Sequence, residues 1–166
     1  MSEATPDHVT QLLHHFADLR DGTHGGASDR AEKERRFEGA VLLIDPFARQ
    51  SLAEINASLL GGTGEVSATG FQPGAEGPQA TWTLAWPEQQ AAKISPVTVR
   101  AYYGLTASHP HLRGATVGDW PLNVFDSLQA AGMLPTFRAI ASADLHNLVF
   151  QVGWRIIPAI TAGWAP

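Results

Sequence analysis

Ala80-Thr-Trp-Thr-Leu-Ala-Trp86 separates a mixed fold from an all-helical one. Trp82, Leu84 and Trp86 fall on one face, and Thr81, Thr83 and Ala85 on the other. That alternation is the period of a half-buried strand. Upstream, Glu65–Phe71 predicts a partner strand, with Pro73, Gly74, Gly77 and Pro78 in the long turn of a hairpin. Downstream, Val97–Tyr103 predicts a third strand, entered through Ser95-Pro96. The tryptophan stripe reads as core, or as one wall of an apolar pocket.

Helical patterns flank this sheet. Residues 5–20 predict an amphipathic helix: Thr5 can cap it, Pro6 suits its first position, and Val9, Leu12, Leu13, Phe16 and Leu19 recur at helical spacing. A flexible loop, Asp21-Gly-Thr-His-Gly-Gly-Ala27, follows. Ser28 caps a second helix with Phe37, Ala40, Val41 and Ile44 on its apolar face. Asp45-Pro46 predicts a break or sharp kink, because proline clashes with the carbonyl four residues back. A third helix then runs from Pro46 to Leu60 and ends at Gly61-Gly62. Asp119 predicts the cap of a helix through Leu122, Phe125 and Leu128 to Gly132.

Between residues 134 and 152 two periods compete. Phe137, Ala139 and Ala141 alternate like a strand. Leu134, Phe137, Ala141, Leu145, Leu148 and Val152 recur every three or four residues, and Pro135 and Gly153 delimit a helix, which is the favoured reading. The tail, Trp154–Pro166, is apolar and turn-rich, and offers Arg155-Ile-Ile157 to an edge strand or a neighbouring subunit. The order of elements predicts an α+β fold: N-terminal helices, a small antiparallel sheet of three to four strands, then C-terminal helices. We expect one domain over residues 1–166, with a helix and flexible loop at 1–27 and the tail at 154–166.

Charged residues make up 16% of the 166, below the usual ~25%. So weakly charged a chain predicts a surface partly covered in a homo-oligomer. The net charge of −5 argues against a nucleic-acid partner. The one basic cluster, Arg30, Lys33, Arg35 and Arg36, alternates with Asp29, Glu32, Glu34 and Glu38 and reads as a solvated helix face. The absence of cysteine removes disulfides, thiolate metal sites and thiol nucleophiles. No apolar run nears the ~18 residues that span a bilayer, and the first residues lack the features of a signal peptide. The expectation is a soluble, cytoplasmic protein with no membrane partner.

Chemistry concentrates in Ser108–Asn123, a dense polar stretch with neither helical nor strand periodicity, which reads as a long shaped loop. His109 and His111 lie two apart, so on extended chain both can reach one metal. His146, within Asp144-Leu-His-Asn147, is the candidate third ligand. Three imidazoles would hold a divalent transition metal (zinc, manganese or iron) with a position open to water. Asp119 or Asp144 would orient a ligand or act as base, Arg113 would clamp an anion, and His146 would otherwise serve as acid or base. This points to a small-molecule pocket and, if the protein is an enzyme, to a histidine- or metal-dependent hydrolase. The competing class is a non-catalytic binding or assembly protein, in which the stretch is structural and the apolar tail makes oligomer contacts.

Other features carry less. His8 and His15 share a helix face and His14 lies on another, so these read with His24 as ordinary polar-face histidines, with an N-terminal metal site as the lesser alternative. Gly61-Gly-Thr-Gly64 closes a helix rather than opening one, which excludes a phosphate loop. No Gly-x-Ser-x-Gly is present, so a serine-hydrolase elbow has no support. His109-Pro110-His111 resembles the His-Pro-His element of galactose-1-phosphate uridylyltransferases, but Ser108 precedes it and Leu112-Arg113 follow, where that family has Asn before and Gly and Gln after. No function is carried over from that likeness.

Overall fold

The computed structural model describes residues 3–166 and has an α+β fold. A helix α1 (Asp7–Asp21) and a long helix α2 (Arg30–Leu59) precede strands β1 (Glu65–Ala68) and β2 (Gln79–Ala85). A short helix α3 (Pro87–Ala91) leads to β3 (Val97–Tyr102), β4 (His111–Gly114) and β5 (Gly118–Pro121). Helices α4 (Ser127–Gly132) and α5 (Leu134–Val152), a 3-10 turn (Trp154–Ile156) and α6 (Pro158–Thr161) complete the chain.

The five strands form one antiparallel meander in the order β1-β2-β3-β4-β5. The alternation of the Ala80–Trp86 stretch holds: Ala80, Trp82 and Leu84 are buried while their neighbours are half-exposed. Val97, Val99 and Ala101 of β3 and Leu112 of β4 extend the same apolar face. Phe37, Ile44 and Leu52 of α2, with Phe137, Ile140 and Leu148 of α5, form the core with it. The tryptophans lock sheet to helices. Trp82 Nε1 donates to Asp45 at 2.9 Å, and Trp86 Nε1 to the Ile156 carbonyl at 2.7 Å. Truncating either to alanine would cost about 3–5 kcal/mol. The opposite sheet face carries Gln79, Thr81, Arg100, Tyr102 and Arg113.

Several expectations are corrected. The sheet has one strand more than the largest number expected. Asp45-Pro46 does not break α2, which runs through Pro46 without interruption. The carbonyl that loses its partner there is that of Leu42, on the exposed side of the helix where water can serve it. Ser108–Asn123 is not all loop, because β4 and β5 form a hairpin within it. Asp119 lies on β5; the helix that follows is α4, capped by Asp126, whose carboxylate accepts from the Gln129 amide at 2.8 Å. Residues 134–152 are helical, as favoured. The tail forms the 3-10 turn and α6 in place of an edge strand.

The basic cluster divides. Arg35 and Arg36 pair with Glu32 on the solvated face, but Lys33 is buried and Arg30 reaches inward. Helix α1 forms where its pattern predicts, yet faces the other way. Leu12, Leu13, Phe16 and Leu19 are exposed, and His15 is its buried residue. Among the described residues no helix is long and apolar enough to cross a membrane.

Candidate metal centre and groove

Three short segments converge at one end of the sheet: the last turns of α1, the turn after it, and the start of β4. Helix α1 stops at Gly22, whose φ of 67° is a left-handed cap. The chain then doubles back, with the His24 amide donating to the Ala27 carbonyl at 2.9 Å and the Ala27 amide to the His24 carbonyl at 3.0 Å. This turn drives the His24 ring inward, where it is fully buried. His109, just before β4, is buried beside it.

Asp18, His24 and His109 each offer one donor atom within 4.8 Å of the others, and they are the one such group of three among the described residues. Ligands about 2.1 Å from a shared ion lie at most about 4.2 Å apart, so ligation asks only a small inward rotation. Thr23 positions two of the three. Its hydroxyl donates to Asp18 at 2.8 Å, and its carbonyl accepts from His109 Nε2 at 2.8 Å. His109 Nδ1 then accepts from the Ser108 hydroxyl at 3.0 Å. The Thr23 contacts act as outer contacts that fix ring orientation at metal sites, and Nδ1 would exchange the Ser108 hydroxyl for an ion.

His24 is different in kind. Neither of its ring nitrogens has a hydrogen-bond partner, although both are buried. Buried polar nitrogens without partners are uncommon and costly. His15 adds a third buried ring nitrogen of this kind, Nδ1, with its ring 4.9 Å from His109 and 6.2 Å from His111. His111 Nδ1 donates to the His109 carbonyl at 3.0 Å.

The surroundings of His24, His15 and His109 favour the neutral imidazole. Burial, reinforced by His109, pushes His24 down to about 4. Burial and then the neighbouring His109 and His111 lower His15. Burial lowers His109 against the opposing pull of its bond to Thr23. Neutral imidazole is the form that binds a metal.

The centre opens toward a groove of about 900 Å³, for which Asp18 and Gly25 form part of the wall with Trp120, Asn123, Phe125 and Met133. Asn123 Oδ1 is buried on this wall without a partner. The volume suits a small organic ligand.

The residues singled out from sequence part company here. His109 and His111 lie in the histidine cluster. His146 is exposed on α5, stacked on Phe150 with ring centroids 6.2 Å apart, and is not among the grouped donors. Asp144 is fully buried in another place. It accepts from the Thr98 amide at 2.9 Å, the Thr116 amide at 2.7 Å and the Thr116 hydroxyl at 2.6 Å, fastening α5 to the sheet. Asp119 and Arg113 face each other loosely at 4.0 Å, and the Arg113 guanidinium lies 5.9 Å from the centre of the Tyr102 ring. Sequence reasoning missed Asp18 as a candidate and placed a metal site at His15 and His24 behind their reading as polar-face histidines. The available signal was a histidine set among Gly22, Gly25 and Gly26, where backbone freedom lets the chain turn a side chain inward. Compared with family models, curated proteins and solved structures, the chain matches none.

Proposed function

We propose that the protein binds a divalent transition metal through Asp18, His24 and His109 and presents it to a small molecule in the adjoining groove. The observation that carries this reading is His24, a fully buried imidazole with both nitrogens unpartnered, beside a carboxylate and a second imidazole. Two imidazoles and one carboxylate are a donor set of hydrolytic zinc and of non-haem iron, and suit manganese. Three protein ligands leave a position for water, whose acidification by the metal supports hydrolysis as the leading reaction. In that role Asp18, on the groove wall, directs the open position toward the ligand. Relative to the reading from sequence, His109 keeps its role as ligand, His111 becomes a neighbour that orients it, and Asp18 and His24 take the place of His146.

The test is elemental analysis of protein purified without an affinity tag, with melting curves in zinc, manganese and iron(II). We expect close to one equivalent of metal, a raised melting temperature, and loss of both in Asp18→Asn and His24→Asn. A metal-free wild type whose melting is unmoved by all three ions sinks the proposal.

A second reading, a homo-oligomeric assembly protein, is favoured by the exposure of Leu13, Phe16 and Leu19 on α1 and of Trp164 in the tail. Sedimentation of the wild type and of Leu13→Glu/Phe16→Glu decides it. A monomeric wild type removes it.

A further inference from the structure

We propose that Arg100 and Arg113 form a second ligand site, for the phosphate group of a small phosphomonoester. The two arginines are direct partners across β3 and β4. They project from the sheet face turned away from the apolar core, and both are exposed. Like charges opposite one another on adjacent strands are destabilising. This chain does not relieve them in the way it relieves six of its seven other arginines; the seventh, Arg155, lies over the Trp154 ring. Arg20, Arg30, Arg35, Arg36, Arg49 and Arg138 each pair with a carboxylate at 2.5 to 3.4 Å. Among the described residues Arg100 has neither an ion pair nor a side-chain hydrogen bond, and the nearest carboxylate to Arg113 is Asp119 at 4.0 Å.

The pair lines a cavity of about 380 Å³. Tyr102, Gln79 and Thr106 on its wall bring further hydrogen-bond donors, and Glu76 is the one carboxylate of the lining. Asp119 is a second carboxylate near the pair, and its contact with Arg113 at 4.0 Å is long enough for a phosphate oxygen to take its place. A phosphate dianion has three peripheral oxygens for two guanidinium forks. A single carboxylate engages only one fork. Leu105 and Ala75 on the same wall offer apolar surface to the ester group, and the cavity is large enough for a compact one. The site is independent of the metal centre and requires none of its residues.

The experiment is calorimetric titration and melting of the chelator-treated protein in low-salt chloride buffer at pH 8, with phenyl phosphate, inorganic phosphate and benzoate as probes. Phenyl phosphate should bind best, inorganic phosphate more weakly, and benzoate least. Arg100→Gln and Arg113→Gln should each weaken phenyl phosphate about tenfold or more, since a charge-assisted bond of ordinary strength is lost. Unliganded Arg100→Gln should melt no lower than the wild type, because an opposed like charge is removed. The proposal is overturned if phenyl phosphate fails to bind, if it binds both variants as it binds the wild type, or if benzoate matches it. A lower melting temperature for unliganded Arg100→Gln also overturns it, because the arginine then serves the fold. With chelator present, failure here leaves the metal proposal standing, and failure of that proposal leaves this one.

Discussion

The His24 ring stands edge-on to the His109 ring, with centroids 5.5 Å apart and planes at 87°. His109 has a partner for each nitrogen and His24 has none. The pair therefore combines an imidazole already oriented with one that the fold leaves unsatisfied.

This arrangement makes stability depend on pH in a definite direction. His24 titrates at about 4 in the folded protein, against 6.5 for the unreacted group. The unfolded chain therefore binds the extra proton between those values. The stabilisation is complete above pH 6.5 and is lost as pH falls toward 4, by about 3 kcal/mol. His15 and His109, also lowered, act in the same direction. Glu54, held to about 2 by its bonds to Arg138 and Gln50, acts in a lower window. Urea unfolding of metal-free protein at pH 7.5 and 4.5 measures the slope, and His24→Phe should flatten it. Equal stability at both pH values refutes the burial of neutral His24.

The turn that carries His24 depends on Gly25. Its φ is +57°, and a Cβ there would collide with the Phe125 ring. Gly26, at φ +80°, has open space around it. Both alanine substitutions meet backbone strain of about 1 kcal/mol, but only Gly25→Ala must also move the Phe125 ring. We expect Gly25→Ala to be the more destabilising of the two and to lower metal affinity, because His24 itself lies 4.8 Å from that ring. Paired unfolding curves with zinc titrations check this, and equal effects of the two substitutions would contradict it.

How much was legible in the sequence follows from where the information lay. The Ala80–Trp86 stripe announced the sheet because a long strand buried on one face must alternate. β4 and β5 gave no such signal. Each is four residues long, their pairing shifts register between Leu112 and Arg113, and Pro121 ends the second. Their conformation is set by hydrogen bonding, of β4 to β3 and of β5 to β4, more than by their own pattern. The helical spacing of Leu12, Phe16 and Leu19 located α1 but misjudged its orientation. His15 turns inward because the surface it meets is made of His109 and His111. Of the three proposed ligands one, His109, could be found from local density of chemistry. Asp18 and His24 join it only through the turn after α1, a relationship that no spacing along the chain encodes.

Asp144 illustrates the same limit, and its role predicts a stability effect rather than a chemical one. It accepts three hydrogen bonds, from the Thr98 amide and from the amide and hydroxyl of Thr116. Asp144→Ala leaves the buried Thr98 amide and the Thr116 pair without this acceptor, at a cost of about 3 kcal/mol or more. Asp144→Asn keeps one acceptor oxygen but places an NH₂ against a donor, and should lose somewhat less. Metal content per folded molecule should be unchanged in both. Unfolding curves with elemental analysis separate the outcomes, and a folded, fully stable Asp144→Ala that has lost its metal would instead place Asp144 in the site.

Arg30 holds the segment that leads to His109. Its guanidinium donates to the carbonyls of Tyr103 at 3.1 Å, Gly104 at 3.0 Å and Ala107 at 3.1 Å. It also pairs with Glu34 at 2.9 Å and lies 3.5 Å from the centre of the Tyr103 ring. One planar cation thus satisfies three carbonyls of residues 103–107 at once, a geometry that an ammonium group cannot reproduce. Arg30→Lys keeps the charge and the Glu34 partner but frees at least two carbonyls and the stacking, with an expected loss of about 2 kcal/mol. Local opening should come first in residues 104–108, so their amide hydrogens should exchange faster while those of β2 and β3 hold their protection. Because His109 follows directly, looser anchoring should weaken metal binding about tenfold, the lower end of what outer contacts contribute. Unchanged exchange in residues 104–108 of Arg30→Lys would show that the β3–β4 connection holds its shape without this arginine.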